Sequence, residues 1–206
     1  STMYSKKFVK RFGNPRTKNE KITQRHKDIA ATFQKLFEDI LIKIINNLYK
    51  KTKSENLCCA GGTFLNCVAN SKILKETPFK EIYIQPAASD CGGALGAAIY
   101  VYNSLLDNPR THNMNNAYLG PEFSEKYIVR FLINNNIKYK KYDNSELVKI
   151  VAKKISEDKI IGWFQGRMEF GPRALGHRSI LANPFNPNMK DLLNAKVKHR
   201  ETFRPY

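Results

Sequence analysis

Apolar residues recur at helical spacing over a long segment near the start of the chain. The segment covers residues 22–49, and its spacing of i, i+3 and i+4 predicts one long helix with Thr23 as the N-cap. The apolar stripe consists of Ile29, Phe33, Leu36, Phe37, Ile40, Ile44 and Leu48. We expect this stripe to face a core, since a continuous apolar face is normally buried. His26 lies off the stripe, and we expect it to be exposed to solvent.

Short apolar runs alternate with helical patterns over the rest of the chain. Strands are predicted at residues 57–60, 81–85, 137–142 and 159–165. Helices are predicted at residues 63–74, within 86–100, and at 125–134, 145–156 and 188–198. An Asn-rich segment with few apolar residues separates the two halves. We therefore predict an α/β protein with domains at 1–105 and 118–206 and a linker at 106–117.

Composition narrows the class of protein without deciding it. Hydrophobic residues make up 42% of the 206 residues, which is enough for a folded core. No apolar run approaches the roughly 20 residues that span a bilayer, so we expect no membrane partner. The cysteines are Cys58, Cys59, Cys67 and Cys91, and they show no CxxC spacing. We expect free thiols and a reducing, cytoplasmic setting.

The chain carries a net charge of +17, and residues 1–53 hold 14 lysines and arginines against 4 acidic residues. Three explanations stay open: a nucleic-acid partner, attraction of anionic small substrates, and drift toward Lys, Asn and Ile. We rank nucleic acid below the other two, because no basic platform interleaved with aromatic residues stands out.

A cluster of cations follows the strand predicted at 159–165. Residues 166–181 read GRMEFGPRALGHRSIL and contain Arg167, Arg173 and Arg178, but only one carboxylate, Glu169. Guanidinium groups match the oxygens of phosphate and carboxylate in bidentate fashion. A solvated surface loop is the alternative. The interleaved apolar residues indicate partial burial, where unpaired arginines would be costly, so the cluster predicts an anion site.

Two glycine pairs lie where backbone could approach a ligand. Gly61 and Gly62 follow the strand at 57–60 and precede the predicted helix at 63–74, with Asn66 one turn inside it. A helix N-terminus after such a turn suits a phosphate, although Gly-Gly after a strand is often only a tight turn. Gly92 and Gly93 follow Asp90 in the loop PAASDCGG. A loop aspartate is most often an N-cap or turn former.

Residues 166–181, followed by LANP and RETFRPY, resemble the C-terminal domain of the O-carbamoyltransferases, which include nodulation-factor and antibiotic carbamoylating enzymes. The segment GGTFLNCVANSKIL is similar to a nucleotide-contacting segment of their N-terminal domain. The resemblance implies half of an actin-like ATPase domain followed by a partial YrdC-like α/β domain. It covers residues 22–206, and we expect the first half of the actin-like domain and the end of the YrdC-like domain to lie outside this sequence.

The resemblance implies an ATP-dependent O-carbamoyltransferase. The YrdC-like domain would form carbamoyl-adenylate from carbamoyl phosphate and ATP, and the actin-like domain would pass the carbamoyl group to a hydroxyl of a small-molecule or sugar acceptor. Two alternatives stay open. One is a relative in the tRNA threonylcarbamoyladenosine pathway, since both halves resemble parts of that pathway and the chain is basic. The other is an inactive fragment that binds an anion or nucleotide.

The resemblance also implies roles for individual residues. Arg173 and Arg178 would bind anionic oxygens directly, with Arg167 and Arg204 as weaker contacts and the Ser179 hydroxyl as a donor. Glu169 would orient an arginine. The implied nucleotide contacts are Gly61, Gly62, Asn66, Gly92 and Gly93.

Asp90 corresponds to a family aspartate that joins the two histidines of an HxxxH helix around a divalent metal ion, either Fe or Mg. The four histidines of this sequence, His26, His112, His177 and His199, are all isolated. The implied metal site is therefore incomplete in this chain.

Overall fold

The computed structural model describes residues 4–17 and 19–205. The chain is an α/β protein that divides after Ile84 into two compact units. This division falls earlier than the linker predicted at 106–117, and the domain boundaries stay a prediction. All four cysteines are free thiols. Among the helices in the described part of the chain, none combines the length and apolar character needed to cross a bilayer.

Within residues 4–17 and 19–84, the first unit contains three α-helices and a parallel pair of strands. In chain order its elements are α1 (Lys6–Phe12), α2 (Gln24–Thr52), β1 (Asn56–Cys59), α3 (Cys67–Glu76) and β2 (Glu81–Ile84). β1 pairs with β2 in register from Asn56 opposite Glu81 to Cys59 opposite Ile84. α3 connects the two strands, as a parallel pair requires.

The long helix predicted at 22–49 is confirmed as α2, and Thr23 is its N-cap. His26 is half-buried at the start of α2 and makes a contact that the sequence does not predict. The backbone N–H of Thr23 donates to His26 Nδ1 at 3.0 Å, so the imidazole satisfies an amide at the helix start.

The core of the first unit lies under a different face of α2 from the one that we predicted. Leu41 and Ile45 pack with residues of β1 and α3 and with Phe79 in one buried cluster. The predicted stripe is largely outside it, since Phe33, Leu36, Ile40, Ile44 and Leu48 are all exposed. α2 is apolar on two sides, and within this unit the parallel strands and α3 cover only one of them.

The second unit contains four helices and an antiparallel hairpin. Its elements are α4 (Gly92–Tyr100), continued by a π turn over Val101–Leu105, then α5 (Glu125–Asn134), α6 (Asn144–Ser156), β3 (Ile161–Phe164), β4 (Arg178–Leu181) and α7 (Met189–Leu193), continued by a π turn over Asn194–Lys198. Side chains of Ser124 and Asp143 cap α5 and α6. The strand predicted at 137–142 is wrong: these residues form no ladder with any described strand.

We predict that neighbouring residues of α2 respond differently to truncation. Ile45→Ala should lower the free energy of unfolding by about 2–5 kcal/mol, because Ile45 is 3% exposed and its loss leaves a cavity. Ile44→Ala should change it by about 0.5 kcal/mol or less, because Ile44 is 59% exposed. Urea denaturation followed by circular dichroism measures both. Equal losses would contradict this placement of the core.

Candidate anion-binding site

The arginine cluster lies on the connection between β3 and β4. Phe164 pairs with Arg178 at the end of the ladder, and the backbone N–H of Gln165 donates to the carbonyl of His177 at 2.8 Å. The Gln165 side chain donates to the carbonyl of Gly176 at 3.2 Å. Residues 166–177 therefore form a long loop whose two ends are closed by the hairpin. We call these residues the cation loop.

A single buried carboxylate organises the cation loop from inside. The Glu169 side chain is 0% exposed. Its Oε1 accepts hydrogen bonds from the backbone N–H groups of Leu175 at 2.7 Å, His177 at 2.9 Å and Arg178 at 3.4 Å. Its Oε2 lies 3.3 Å from Arg178 Nε, an ion-pair contact without hydrogen-bond geometry. Glu169 thus folds the loop back on itself.

The protonation of Glu169 follows from these contacts. Burial raises the pKa of Glu169, but hydrogen bonds from the backbone N–H groups of Leu175, Glu169 itself, His177 and Arg178 outweigh it and lower the pKa to about 2. The carboxylate is therefore ionised at neutral pH. It neutralises no more than one of the three arginines, since its Oε1 is directed at backbone amides.

The three arginines occupy different positions around this carboxylate. Arg178 faces inward, with a side chain 35% exposed, and its Nη2 donates to the carbonyl of Gly171. Arg167 is about half exposed, with Nη2 3.8 Å from Glu122 Oε2. Arg173 is exposed. Direct anion binding by any of them stays a prediction, and the geometry favours the outer pair over Arg178.

Tyr118 clamps the loop from the side. Its ring stacks on that of His177 with centroids 3.7 Å apart and planes 10° apart. Its Oη donates to the carbonyl of Leu175 at 2.9 Å. His177 Nδ1 lies 2.7 Å from the carbonyl of Arg167, and Nδ1 carries the proton because a carbonyl only accepts. The sequence analysis missed this role, although an aromatic residue opening the YLGP turn was the available signal.

Backbone hydrogen bonds hold the cation loop on one further side, and a close backbone approach limits it on another. Residues 117–121 bond to it through Phe170 N–H to the Ala117 carbonyl at 2.6 Å and Gly120 N–H to the Met168 carbonyl at 2.9 Å. Gly171 has a φ of +115°, and a Cβ there would lie 2.9 Å from the Pro86 carbonyl oxygen. The segment that carries Asp90, Gly92 and Gly93 therefore begins against the cation loop.

The glycine pair at 92–93 opens α4. A Cβ at Gly92 would lie 2.3 Å from the Ala87 carbonyl oxygen, so this position requires glycine. Gly93 N–H donates to the Asp90 carbonyl at 3.0 Å, and a Cβ at Gly93 would meet nothing within 4 Å. The space beside Gly93 is therefore open to a ligand.

The residues present do not fit a metal ion around Asp90. Asp90 is exposed, and over residues 4–17 and 19–205 no three His, Cys, Asp or Glu side chains come together. A single carboxylate is too few ligands for either Fe or Mg in a protein cage. The metal role of Asp90 stays a prediction that this chain alone does not support.

The Gly61–Gly62 segment differs from the sequence prediction at one point. Gly61 has a φ of +104°, and Gly62–Leu65 form a 3₁₀ turn before α3 begins at Cys67. The predicted helix start at residue 63 is therefore wrong. Asn66 is the N-cap of α3, and its Oδ1 accepts from Ala69 N–H at 3.1 Å. This hydrogen bond satisfies a backbone donor of the first turn, which is why asparagine is preferred at N-caps.

The remaining residues predicted to contact the anion, Ser179 and Arg204, both make hydrogen bonds or ion pairs within the chain. Ser179 Oγ accepts from Gly176 N–H at 3.1 Å, which leaves its own proton to donate. Arg204 Nε is 3.0 Å from Glu201 Oε2, with the guanidinium about half exposed. The segment of Arg204 is fixed by buried Asn194, whose Nδ2 donates to the Thr202 carbonyl at 3.3 Å and the Arg204 carbonyl at 2.9 Å.

Two family models match the chain. The model described as Carbamoyltransferase N-terminus matches residues 1–99, and that described as Carbamoyltransferase C-terminus matches residues 152–206. The chain belongs to the carbamoyltransferase family. The cation loop lies wholly within the part matched by the C-terminal model, and Gly61, Asn66 and Asp90 lie within the N-terminal one.

Curated relatives of the chain in this family are longer than it is. An uncharacterized protein of Synechocystis sp. is 46% identical over 100% of this chain and 34% of its own length. Nodulation protein NolO of Bradyrhizobium diazoefficiens is 38% identical over 93% of the chain and 35% of itself. The 3'-hydroxymethylcephem-O-carbamoyltransferase of Streptomyces clavuligerus is 35% identical over 72% of the chain and 27% of itself. The chain thus spans about a third of the length of these relatives.

We predict that Glu169→Gln removes part of the acid sensitivity of the hairpin. A pKa of about 2 in the folded state, below the ordinary 4.5, gives stability that is fully present above pH 4.5 and is lost as pH falls toward 2. The wild-type melting temperature, followed by fluorescence of the single Trp163, should fall over that range more steeply than that of the variant.

Glu122→Gln is the matched control, since Glu122 is an exposed carboxylate whose contact with Arg167 Nη2 is long, at 3.8 Å. The pKa values of Glu38 and Asp143 are also lowered, by side-chain and backbone hydrogen bonds respectively, and they affect all three proteins alike. An unchanged pH dependence in Glu169→Gln would contradict the central role of this carboxylate.

Proposed function

We propose that this chain carries two substrate-binding parts of an ATP-dependent O-carbamoyltransferase. The cation loop would bind carbamoyl phosphate and ATP for the formation of carbamoyl-adenylate. The Gly61–Gly62 turn and Asn66 would contact the adenylate from which the carbamoyl group passes to a hydroxyl. In fold terms, residues 1–105 would be the later part of an actin-like domain, and residues 118–206 the start of a YrdC-like domain.

The observation that carries this proposal is that the buried Glu169 carboxylate accepts hydrogen bonds from the backbone of the cation loop. A solvated surface loop would leave its own carboxylate exposed to water. Here the one carboxylate of the loop is buried and directed at backbone amides. Residues 166–178 carry three arginines against this one carboxylate, and Arg167 and Arg173 lie at the surface, which suits a phosphorylated anion.

The chemistry of carbamoyl-adenylate formation needs what such a loop supplies. Phosphate departure and adenylation concentrate negative charge on oxygens, and prepositioned cations stabilise that charge without covalent chemistry. Arg173 and Arg167 would contact those oxygens, Arg178 would fix the loop through Gly171 and Glu169, and the Ser179 hydroxyl would donate a hydrogen bond. Arg204 would approach from the segment after α7. No step is assigned to a metal ion.

The acceptor would be a hydroxyl on a small molecule or sugar. The relatives support this class, since one is named as an O-carbamoyltransferase that acts on a hydroxymethylcephem and others are named as nodulation proteins. Cytoplasmic location, consistent with four free cysteines, belongs to the same proposal.

A second candidate is a role in tRNA threonylcarbamoyladenosine formation, which the net charge of +17 favours. Under this alternative the chain binds tRNA with a steep dependence on salt concentration. The third possibility is binding of an anion without catalysis, since the chain spans about a third of its relatives. ATP–pyrophosphate exchange in the presence of carbamoyl phosphate separates catalysis from binding alone.

We predict that the substitution corresponding to Arg173→Ala, made in an active full-length relative, slows carbamoyl-adenylate formation about 10²–10³-fold. Transfer from supplied carbamoyl-adenylate should be unchanged, because that step uses the other domain. Pyrophosphate exchange measures the first step and product formation the second, with Arg173→Lys retaining charge as the control. Equal loss of both steps would refute the assignment of the loop.

We predict that Asn66→Ala in this chain weakens ATP binding. The substitution removes both the side-chain amide that would contact the adenylate and the N-cap of α3. Calorimetric titration with ATP measures the dissociation constant, and Asn66→Asp keeps the cap as the control. An unchanged affinity in Asn66→Ala would remove this residue from the nucleotide site.

A further inference from the structure

A buried carboxylate lies on α2 near the start of α3. Glu38 is 5% exposed, and its Oε2 accepts from Lys72 Nζ at 2.5 Å. Its Oε1 accepts from Gln34 Nε2 at 2.7 Å. Burying a carboxylate is costly, and a buried ion pair often contributes less stability than apolar residues of the same volume. Stability alone therefore does not explain the burial of Glu38.

Gln34 joins this carboxylate to Asn66. Gln34 Oε1 accepts from Asn66 Nδ2 at 2.9 Å, and Gln34 Nε2 lies 3.3 Å from Asn66 Oδ1. The two amides thus face each other across α2 and the cap of α3, and they are 32 positions apart in sequence. Asn66 Oδ1 also accepts from Ala69 N–H.

The chemistry of Glu38 fixes the direction of every amide in this chain of contacts. An ionised carboxylate only accepts, so Gln34 must turn its NH₂ group toward Glu38. Its carbonyl oxygen then faces Asn66, which must present Nδ2 to it and Oδ1 to Ala69. Lys72 keeps Glu38 ionised, since the hydrogen bond from Lys72 lowers the pKa of that carboxyl.

We propose that Gln34 and Glu38 are positioning residues for nucleotide binding, which they influence by fixing the side-chain amide of Asn66 beside the Gly61–Gly62 turn. This inference rests on the proposed nucleotide role of Asn66. It adds two residues from a distant helix, and it gives the buried charge of Glu38 a function in orientation. Neither residue was singled out by the sequence analysis, because glutamine and glutamate on a helix are usually solvated.

The test compares Gln34→Met with Asn46→Leu in this chain. Both substitutions remove an amide that joins α2 to α3, since Asn46 Nδ2 donates to the Glu76 carbonyl at 3.2 Å at the far end of the same contact. Gln34→Met should weaken ATP binding about three- to tenfold in calorimetric titration. It should also shift the ¹⁵N–¹H resonances of the Asn66 side-chain amide. Asn46→Leu should change neither.

A double-mutant cycle shows whether Gln34 acts through Asn66. If it does, adding Gln34→Met to Asn66→Ala causes no further loss of ATP affinity. The pair Glu38→Gln with Lys72→Met removes the ion pair without leaving an unpaired charge. This variant should recover thermal stability relative to Glu38→Gln alone. Both Glu38→Gln and the double variant should bind ATP more weakly than the wild-type chain. The amide introduced by Glu38→Gln can donate as well as accept, so it no longer dictates the direction of Gln34.

The outcomes separate this inference from the function on which it rests. If the wild-type chain binds ATP and Gln34→Met binds it with the same affinity, the inference is overturned and the proposed function still stands. Absence of ATP binding by the wild-type chain would instead count against the proposed nucleotide role of Asn66. In that case unchanged Asn66 amide resonances in Gln34→Met would overturn the positioning role, and shifted resonances would support it.

Discussion

The contact between the Glu169 carboxylate and the backbone amides of its own loop is the interaction on which the candidate site depends. Leu175, His177 and Arg178 each direct a backbone N–H at Oε1, so one side chain accepts from backbone groups that have no partner on the facing strand. Buried amides need partners, and a carboxylate accepts several at once. The same contact keeps the negative charge of Glu169 inside the loop, while Arg167 and Arg173 lie at its surface.

The sequence predicted elements well where a single strong pattern decided them. α2, α4, α5, α6 and the strands β1, β2 and β3 all occur close to their predicted positions. Periodicity nevertheless reports only which face is apolar, and not which neighbour covers it. That is why the stripe of α2 was assigned to a core that instead lies under Leu41 and Ile45. β4 was missed because RSIL is short and begins with an arginine.

The sequence indicates which residues compose the candidate site better than it indicates how their side chains are arranged. Clustered arginines among glycines and apolar residues predict an anion site, and anion binding stays a prediction. The structure shows that these residues form one loop, with Gly171 where close approach requires glycine. The direction of each side chain depends on contacts between residues distant in sequence. The stacking of Tyr118 on His177 and the amide pair of Gln34 with Asn66 are such contacts, and no local spacing reveals them.

The contacts of residues 117–121 with the cation loop determine how short a fragment can be made. These residues lie outside both family-model matches, which cover 1–99 and 152–206, yet they supply the ring and the backbone groups that bracket the cation loop. An excised piece limited to 152–206 would retain every arginine of the loop and lose its scaffold. The smallest piece that keeps the cation loop with all of these contacts is therefore larger than the segment that the C-terminal family model matches.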